Sequence, residues 1–366
     1  MRGKTGPMSL AAAAGTVLLA QAFHPLMLIP LRAGQNAAWL SSLITVLFSV
    51  LFYLPAAYWL SRRQSGDLID LAEAAAGVPG AIATALLSVW VLVHHSGLIL
   101  RMTSEMAVTS SYPHTPQTFV QVGLLACVWG GAYIPLTGLV RLCRLFLPPL
   151  AGGILCLLVG GLGWGEMRFL LPFWGPGPLP LLLRSLGNMS FHTPTILFLL
   201  LAVGGTHQRR RIPLAGTGTI ILVTLLLSLV SAVLAITFPP PLGYNVTYPL
   251  HDMARLMVGG RFFERLEVIW LFLWVMTTAA HLSALVHVAA AAFARAFRMD
   301  DHRSTLLPLL TLVAVVAMFP SDQADAIEWG QSYMAGGNFA SAALPVILTG
   351  LALVRGRRQR NAFGGR

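Results

Sequence analysis

Long apolar stretches separated by short polar loops run through almost the whole sequence. Each stretch contains about 20 mostly apolar residues, which is the length of an α-helix that crosses the hydrocarbon core of a bilayer. The pattern therefore predicts an all-α integral membrane protein with about ten transmembrane helices. The ten spans are predicted at 8–31, 37–60, 79–108, 117–137, 142–163, 185–205, 212–238, 264–294, 304–321 and 336–355.

The composition supports lipid as the solvent for most of the chain. Of 366 residues, 56% are hydrophobic and only 10% are charged, whereas a soluble domain has about 25% charged residues. The beginning of the chain is similar to a signal peptide, but it lacks a clear cleavage site before a soluble domain, so we interpret it as the first span. The three cysteines, Cys127, Cys143 and Cys156, lie in or beside apolar segments and show no disulfide or zinc spacing.

Basic residues in the loops predict the orientation. With ten spans, both termini and the even-numbered loops share one side, and that side carries seventeen Lys and Arg residues against six on the other. This positive-inside bias places both termini in the cytoplasm. The basic tail at 356–366 follows a span directly, so anionic lipid is a better partner for it than nucleic acid.

The ten spans divide into two sets of five within a single domain, residues 1–366. The first half-repeat covers about 8–163 and the second about 185–355, an organisation found in transporters built from inverted repeats. Two outer connections are more than linkers. Residues 164–184 suit a re-entrant or interfacial segment, and His251 to Met257 predict a short amphipathic helix on the outer surface.

Polar groups inside spans are costly in lipid and usually face the interior of a helix bundle. Two clusters of such polar residues lie beside a proline. They are QAFHPL in span 1 and NMSFHTP in span 6. Pro25 and Pro194 cannot donate a backbone hydrogen bond. Pro25 should therefore free the carbonyl of Gln21, and Pro194 should free that of Ser190. Spans 1 and 6 begin the two halves, and interrupted helices at corresponding positions indicate a substrate site. The alternative is that these are ordinary membrane-helix prolines.

Charged residues near the outer surface predict structural roles. Arg101 and Glu105 are four residues apart in span 3, which favours an ion pair on one helix face over a role in ion coupling. Four more residues form a candidate anchoring or partner surface around the start of span 8, namely Arg255, Glu264, Arg265 and Glu267. Motifs of soluble enzymes such as Walker A, GxSxG and HExxH are not apparent. We therefore expect transport or sensing, with no catalysis, cofactor or metal.

Several motifs, in order along the chain, resemble the B subunit of spore germinant receptors, a branch of the amino acid–polyamine–organocation transporter superfamily. They are IPLRAGQNAAWL after span 1, DLIDLAEAAAGVPG before span 3, LRMTSEM followed by TP, PLHDMARLMVGGRFFERLEVIWLFLW at 249–274 and FPSD at 319–322. The resemblance covers nearly the whole chain. It implies a LeuT-like fold of two inverted five-helix repeats, with helices 1 and 6 broken.

The resemblance also implies a function. Such a subunit senses a small nutrient in the spore inner membrane or cell membrane, together with an A subunit and a lipoprotein C subunit. The alternative is an ion-coupled amino acid permease. The implied pocket lies between spans 1, 3, 6 and 8, and this sequence departs from the family pattern there, with FHP in the span 1 break and Thr195 after the span 6 break. The predicted ligand-binding residues are Gln21, Phe23, His24, His95, Asn188, Ser190, His192, Thr277, Ala280 and His281.

Four histidines come from the four helices expected to line this pocket: His24, His95, His192 and His281. We hypothesise that at least three of them face a common polar cavity. Protonated imidazoles would hold a ligand carboxylate, and neutral imidazoles would hold a transition metal. The alternative is that each imidazole hydrogen-bonds a backbone carbonyl of a neighbouring helix.

Overall fold

The computed structural model describes residues 4–111, 113–239, 243, 246–256 and 266–363. Within these ranges every predicted span falls on a helix or on a pair of consecutive helices. The α-helices are α1 (Pro7–Leu19), α2 (Leu28–Gly34), α3 (Ala38–Ser61), α4 (Leu68–Ser110), α5 (Gln117–Tyr133), α6 (Leu136–Leu162), α7 (Pro178–Ser185), α8 (Met189–Ala202), α9 (Ile212–Thr237), α10 (Pro249–Leu256), α11 (Leu266–Ala296), α12 (Leu306–Met318) and α13 (Gln323–Phe363).

The described helices make this a multi-pass membrane protein. Five continuous segments are long and apolar enough to cross a bilayer, and two strongly bent helix pairs raise the number to seven. The five are Pro25–Ser61, Leu68–Ser110, Leu136–Leu162, Arg209–Thr237 and Trp270–Ala296. Pro7–Phe23 and Ser341–Gly356 are shorter apolar helices. Ten crossings and an inverted repeat therefore stay predictions.

Span 1 is broken at His24. After α1 the chain tightens into a 3₁₀ turn, His24 is extended at φ −88° and ψ 160°, and a second 3₁₀ turn starts at Pro25. The residue before a proline avoids the helical region, which explains the break at this position. The prediction that Pro25 frees the carbonyl of Gln21 is wrong. The backbone N–H of His24 donates to that carbonyl at 3.1 Å, because the 3₁₀ turn bonds residues three apart.

Span 6 is bent rather than broken at its proline. The segments Pro178–Asn188 and Phe191–Gly205 meet at an angle of 47°. Pro194 lies inside α8, which continues helically on both sides of it. The predicted interruption of span 6 therefore lies a few residues before Pro194.

The two connections that are predicted to lie outside carry helical structure. The segment after α6 contains a 3₁₀ turn, Met167–Leu170, and the helix α7. The predicted amphipathic helix near His251 corresponds to α10, which packs against α6 and α11. These elements cover one end of the bundle, opposite the end at which the chain begins.

A charged junction ties α4 to α11 at the end of the bundle where the chain begins. Asp67 caps α4 by accepting from the backbone N–H of Ile69, and Asp70 accepts from the backbone N–H of Asp67. Arg295, near the end of α11, contacts both carboxylates, with its Nε 3.4 Å from an Asp67 oxygen. Burial raises the pKa of the Asp67 carboxyl to about 6, although Arg295 opposes the shift.

Replacing Asp67 with asparagine should change how stability depends on pH. Because the pKa of Asp67 is higher in the folded protein than in the unfolded chain, the folded state gains stability when Asp67 binds a proton, and loses it as the pH rises through about 6. Relative to Asp67→Asn, the wild type should therefore gain about 1 kcal/mol between pH 7 and pH 5. Thermal unfolding of both proteins in detergent across pH 5–8 measures this difference, and parallel curves would contradict it.

Candidate histidine site at the break of span 1

Three of the four predicted histidines lie together where the break of span 1 meets α4 and α11. The ring centroids of His95 and His281 are 5.5 Å apart. His24 contacts Thr103 of α4 and Trp274 of α11, the two helices that carry the other two histidines. Each of the three side chains is at most 1% exposed. We call His24, His95 and His281, with the adjoining Trp274, the histidine cluster.

Helix geometry explains how α4 and α11 supply these side chains. On α4, His95 and Thr103 are eight residues apart and about 80° apart around the helix, so they lie on the same broad face. The hydroxyl of Thr103 is 3.1 Å from Nε2 of His24. On α11, Trp274 and His281 are seven residues apart and share a face, and the indole ring centroid lies 5.6 Å from that of His24.

The hydrogen bonds define the tautomers of two imidazoles. The Thr103 hydroxyl has one proton, and it donates that proton to the carbonyl of Ile99 at 2.6 Å. The contact with His24 therefore requires His24 to donate from Nε2–H. His281 Nδ1 lies 2.7 Å from the carbonyl oxygen of Val17, which can only accept, so His281 donates from Nδ1–H. In the neutral form this leaves lone pairs on His24 Nδ1 and His281 Nε2.

Several buried polar atoms of this region have no hydrogen-bond partner within the described part of the chain. Leaving such an atom without a hydrogen-bond partner costs about 1–3 kcal/mol. A polar ligand that supplied partners to these atoms would recover that free energy. In the histidine cluster the unpaired atoms are His24 Nδ1, both ring nitrogens of His95, Trp274 Nε1 and His281 Nε2. The neighbouring Thr278 on α11 adds its Oγ1.

The fourth histidine lines a cavity that the other three do not line. His192 lines a small cavity with residues of α3 and α9, among them Ser42, Thr45 and Leu227. The amide nitrogen of Asn188 donates to Ser41 of α3 at 2.9 Å, while its carbonyl oxygen has no partner in the described residues. The structure thus brings together three of the four histidines and places His192 with Asn188.

Gln21 and Phe23 have structural contacts on either side of the break. The amide nitrogen of Gln21 donates to the carbonyls of Val17, at 3.2 Å, and of Phe191 on α8, at 2.9 Å. The ring of Phe23 lies 6.0 Å from that of Trp270, centroid to centroid. Gln21 therefore links spans 1 and 6.

The remaining predicted ligand residues lie on α8 and α11. The Thr277 hydroxyl donates to the carbonyls of Leu273 and Trp274 within its own helix. Ala280 is buried, with its carbonyl 3.9 Å from the Cys143 sulfur. Ser190 lies in α8, but its side chain is outside the described residues.

Arg101 and Glu105 form the predicted ion pair on α4, with 3.1 Å between Arg101 Nε and a Glu105 oxygen. Arg101 also donates to the carbonyl of Ser321, in the FPSD segment, at 3.3 Å. These contacts tie α4 to the segment before α13. Among the predicted surface residues, Arg255 is exposed on α10, while Glu264, Arg265 and the side chain of Glu267 lie outside the described residues.

The two ends of the bundle differ in how closely they pack over the cluster. At the α10 end, Phe23, Trp270 and Trp274 pack with Leu250 and His251 around a cavity of only about 10 Å³. At the other end a cavity of about 590 Å³ lies between the chain start, the α5–α6 turn, α11 and the loop before α12. It is lined by Thr5, Pro135, Leu136, Thr137, Gly205, His287, Ala291, Asp300, Asp301, His302 and Arg303.

Sequence reasoning missed Thr103 and Trp274 as members of this site. Thr103 lies eight residues after His95 on α4, and Trp274 lies seven before His281 on α11. Those helical spacings were a usable signal. Applied to the two histidines, they would have found both residues.

Comparison with known proteins identifies a family and a fold. The sequence profile of the spore germination proteins matches residues 20–326. No curated protein is significantly similar to the chain. Its LeuT-type fold is shared by solved structures at low sequence identity, among them the following three.

The first of these structures is MhsT in complex with L-phenylalanine, with a TM-score of 0.68 and 15% identity over 94% of this chain and 89% of that one. The second is Mhp1, a nucleobase-cation-symport-1 family transporter with bromovinylhydantoin bound. Its TM-score is 0.63, and its sequence is 12% identical over 91% of this chain and 78% of that one. The third is a Na⁺-coupled sialic acid symporter. Its TM-score is 0.58, and its sequence is 12% identical over 94% of this chain and 78% of that one. The chain thus has the architecture of a transporter-like membrane protein.

Proposed function

Because the chain belongs to the spore germination protein family, we propose that it is the nutrient-sensing transmembrane subunit of a spore germination receptor. It binds a small molecule, such as an amino acid, at the histidine cluster. It acts in the spore inner membrane or cell membrane with both termini in the cytoplasm, and it signals through an A subunit and a lipoprotein C subunit.

The observation that carries this proposal is the set of unpaired polar atoms on His24, His95, Trp274 and His281. All four side chains are at least 98% buried, and their polar atoms come from three helical segments that are distant in sequence. A ligand that satisfies them gains hydrogen bonds in a setting shielded from water. The neighbouring break at His24 supplies backbone that can change conformation.

Binding at this position would act on the fold as a whole. Span 1 is linked to span 6 by Gln21 and to α11 by the His281 hydrogen bond to Val17. A ligand that contacts these segments differently in two conformations shifts the equilibrium between them. Partner subunits that contact only one conformation then convert nutrient binding into a germination signal.

Replacing His95 with leucine tests the proposal, with His94→Leu as a matched control. The two histidines are neighbours on α4 about 100° apart around the helix, and the ring of His94 packs against Trp90 and Trp329. In spores that carry this subunit with its A and C partners, His95→Leu should raise the nutrient concentration needed for germination at least 10-fold. His94→Leu should respond like the wild type. Equal responses from both variants, at equal receptor levels, would contradict the proposal.

The alternative function is an ion-coupled amino acid permease, which the similarity to a Na⁺-coupled symporter favours. Proteoliposomes that contain only this chain distinguish the two. The receptor proposal expects ligand binding without uptake of the radiolabelled ligand against its gradient. Concentrative uptake driven by a Na⁺ or H⁺ gradient would support the permease.

A further inference from the structure

We propose that an anionic phospholipid binds at an arginine-rich corner of the bundle, where α3 ends and α9 begins. The corner consists of Arg62 and Arg63, directly after α3, and of Arg210 and Arg211, directly before α9. All four residues are exposed, and we call them the arginine corner. It is a different surface from the histidine cluster, and the inference does not rest on the proposed function.

The charges of the arginine corner are not balanced within the described part of the chain. None of its four guanidinium groups forms an ion pair with a described carboxylate. Asp67 and Asp70, which follow α3 in the sequence, pair instead with Arg295. Exposed guanidinium groups attract phosphate and bind it through two parallel hydrogen bonds.

Contacts between α3, α9 and the loop after α3 hold the two arginine pairs at one corner. The Tyr53 hydroxyl of α3 donates to the carbonyl of Ile212, the first residue of α9, at 3.0 Å. Arg209, which is buried, donates to the carbonyl of Gly66 in the loop that follows α3. The 3₁₀ turn Arg209–Arg211 also packs against α3. The pair that precedes α9 therefore lies beside the end of α3.

The guanidinium groups of the other pair lie back along α3, toward the level at which α9 begins. The Arg62 Cζ atom is 4.3 Å from the ring centroid of Tyr58, and the Arg63 Cζ atom is 3.7 Å from that of Trp59. Tyr58 follows Tyr53 by five residues, which is about 7.5 Å along the helix. Tyrosine and tryptophan rings are typical of the boundary between membrane and water, so these charges lie where lipid headgroups lie.

Exposed apolar side chains run from the arginine corner into the bilayer along α3. Leu47, Leu51, Leu54 and Tyr58 are exposed, and they follow one another at spacings of four, three and four residues. They therefore form one stripe of the helix, and Arg62 continues that stripe four residues later. In a helix that crosses a bilayer, such a stripe contacts acyl chains.

The same arrangement recurs on α9, which packs against α3. Leu214, Ile221, Leu225 and Leu229 are exposed at spacings of seven, four and four residues, and Leu214 follows Arg210 by four. An amphiphile with its phosphate at the arginine corner and its acyl chains beside these stripes fits both surfaces. A soluble acidic partner would match the charges alone, so the apolar stripes favour a phospholipid.

A lipid titration tests the site. The full chain in detergent is titrated with palmitoyl-oleoyl phosphatidylglycerol or with phosphatidylcholine of the same acyl chains, and bound lipid is counted by native mass spectrometry. Phosphatidylglycerol should bind at least 10-fold more tightly, because phosphatidylcholine has no net charge. Equal affinities for the two lipids would overturn the inference.

Double variants locate the contact. Arg62→Gln with Arg63→Gln, and Arg210→Gln with Arg211→Gln, each remove two charges from the arginine corner. Each arginine near a bilayer surface strengthens the attraction for anionic lipid about 5-fold. Either double variant should therefore weaken binding of phosphatidylglycerol at least 10-fold.

A matched pair on α6 controls for charge alone. Arg141 and Arg144 are exposed, and Arg144 lies 3.4 Å from the Ser9 hydroxyl, at the end of the bundle where the chain begins. Arg141→Gln with Arg144→Gln removes the same charge and should leave the affinity within about 3-fold of the wild type. Equal losses in all three double variants would show that the attraction is spread over the surface, and would overturn the site.

Tryptophan fluorescence gives a second measurement that does not depend on the arginine variants. In nanodiscs, phosphatidylglycerol that carries a spin label near its headgroup should quench emission more than labelled phosphatidylcholine does, because Trp59 lies beside Arg63. The excess should fall by at least half in Trp59→Phe, which keeps an aromatic ring at this position. An excess that is unchanged in Trp59→Phe would place the lipid elsewhere and overturn the inference.

Discussion

Replacing Gly97 with alanine is expected to lower the thermal stability of the protein strongly. A β-carbon at this position of α4 would lie 2.5 Å from a side-chain carbon of Val316 and 3.0 Å from the backbone oxygen of Val313. Because a backbone atom cannot move without its helix, α12 would have to shift away from α4. Overpacking of this kind costs about 1–3 kcal/mol and sometimes more. Thermal unfolding in detergent, followed by tryptophan fluorescence, measures the loss.

Gly123→Ala provides the matched control. This glycine lies within α5 and has no neighbouring atom within 4 Å of an added β-carbon, so alanine there should stabilise the helix by about 0.5–1 kcal/mol. Since Gly97 follows His95 by two residues, a shift of α12 should also weaken ligand binding. Unfolding midpoints for Gly97→Ala at or above that of the wild type would show that α12 yields without cost.

The pattern of apolar segments was sufficient to predict where the helices lie, because the length required by a bilayer is a strong constraint. The break of span 1 was also predictable, since Pro25 acts on its own neighbours. The carbonyl of Gln21 was predicted wrongly, because the choice between an α turn and a 3₁₀ turn depends on packing around the break. Packing likewise decides where span 6 bends, and the bend lies a few residues before Pro194.

The candidate site was predicted only in part. Helix membership suggested that at least three of the four histidines converge, and the structure places His24, His95 and His281 near one another. The position of His192 depends on how α8 is rotated against α3 and α9, and hydropathy carries no information about that rotation. The tautomers depend on Thr103 and on the carbonyl of Val17, which are distant in sequence from the rings that they orient.

Replacing Gln21 with leucine should separate ligand binding from signalling. The amide of Gln21 is a side-chain link from the break of span 1 to the carbonyl of Phe191 on α8. Without it, movement at His24 is no longer transmitted to span 6 by this contact, and the buried carbonyl loses a donor, which costs about 1–3 kcal/mol. Nutrient binding to Gln21→Leu should stay within about 5-fold of the wild type, whereas germination of spores should require at least 10-fold more nutrient, since coupling is a free energy separate from binding.

A second glutamine controls for the chemistry of this substitution. Gln121 is also buried, and its amide links α5 to the Ser104 hydroxyl on α4 at 3.2 Å, away from the break. Gln121→Leu should lower stability to a similar degree but leave the ratio of response to binding unchanged. If both variants reduce the response only in proportion to binding, Gln21 has a structural role alone. A selective loss of response in Gln21→Leu would instead identify the contact between spans 1 and 6 as the step that connects the histidine cluster to the partner subunits.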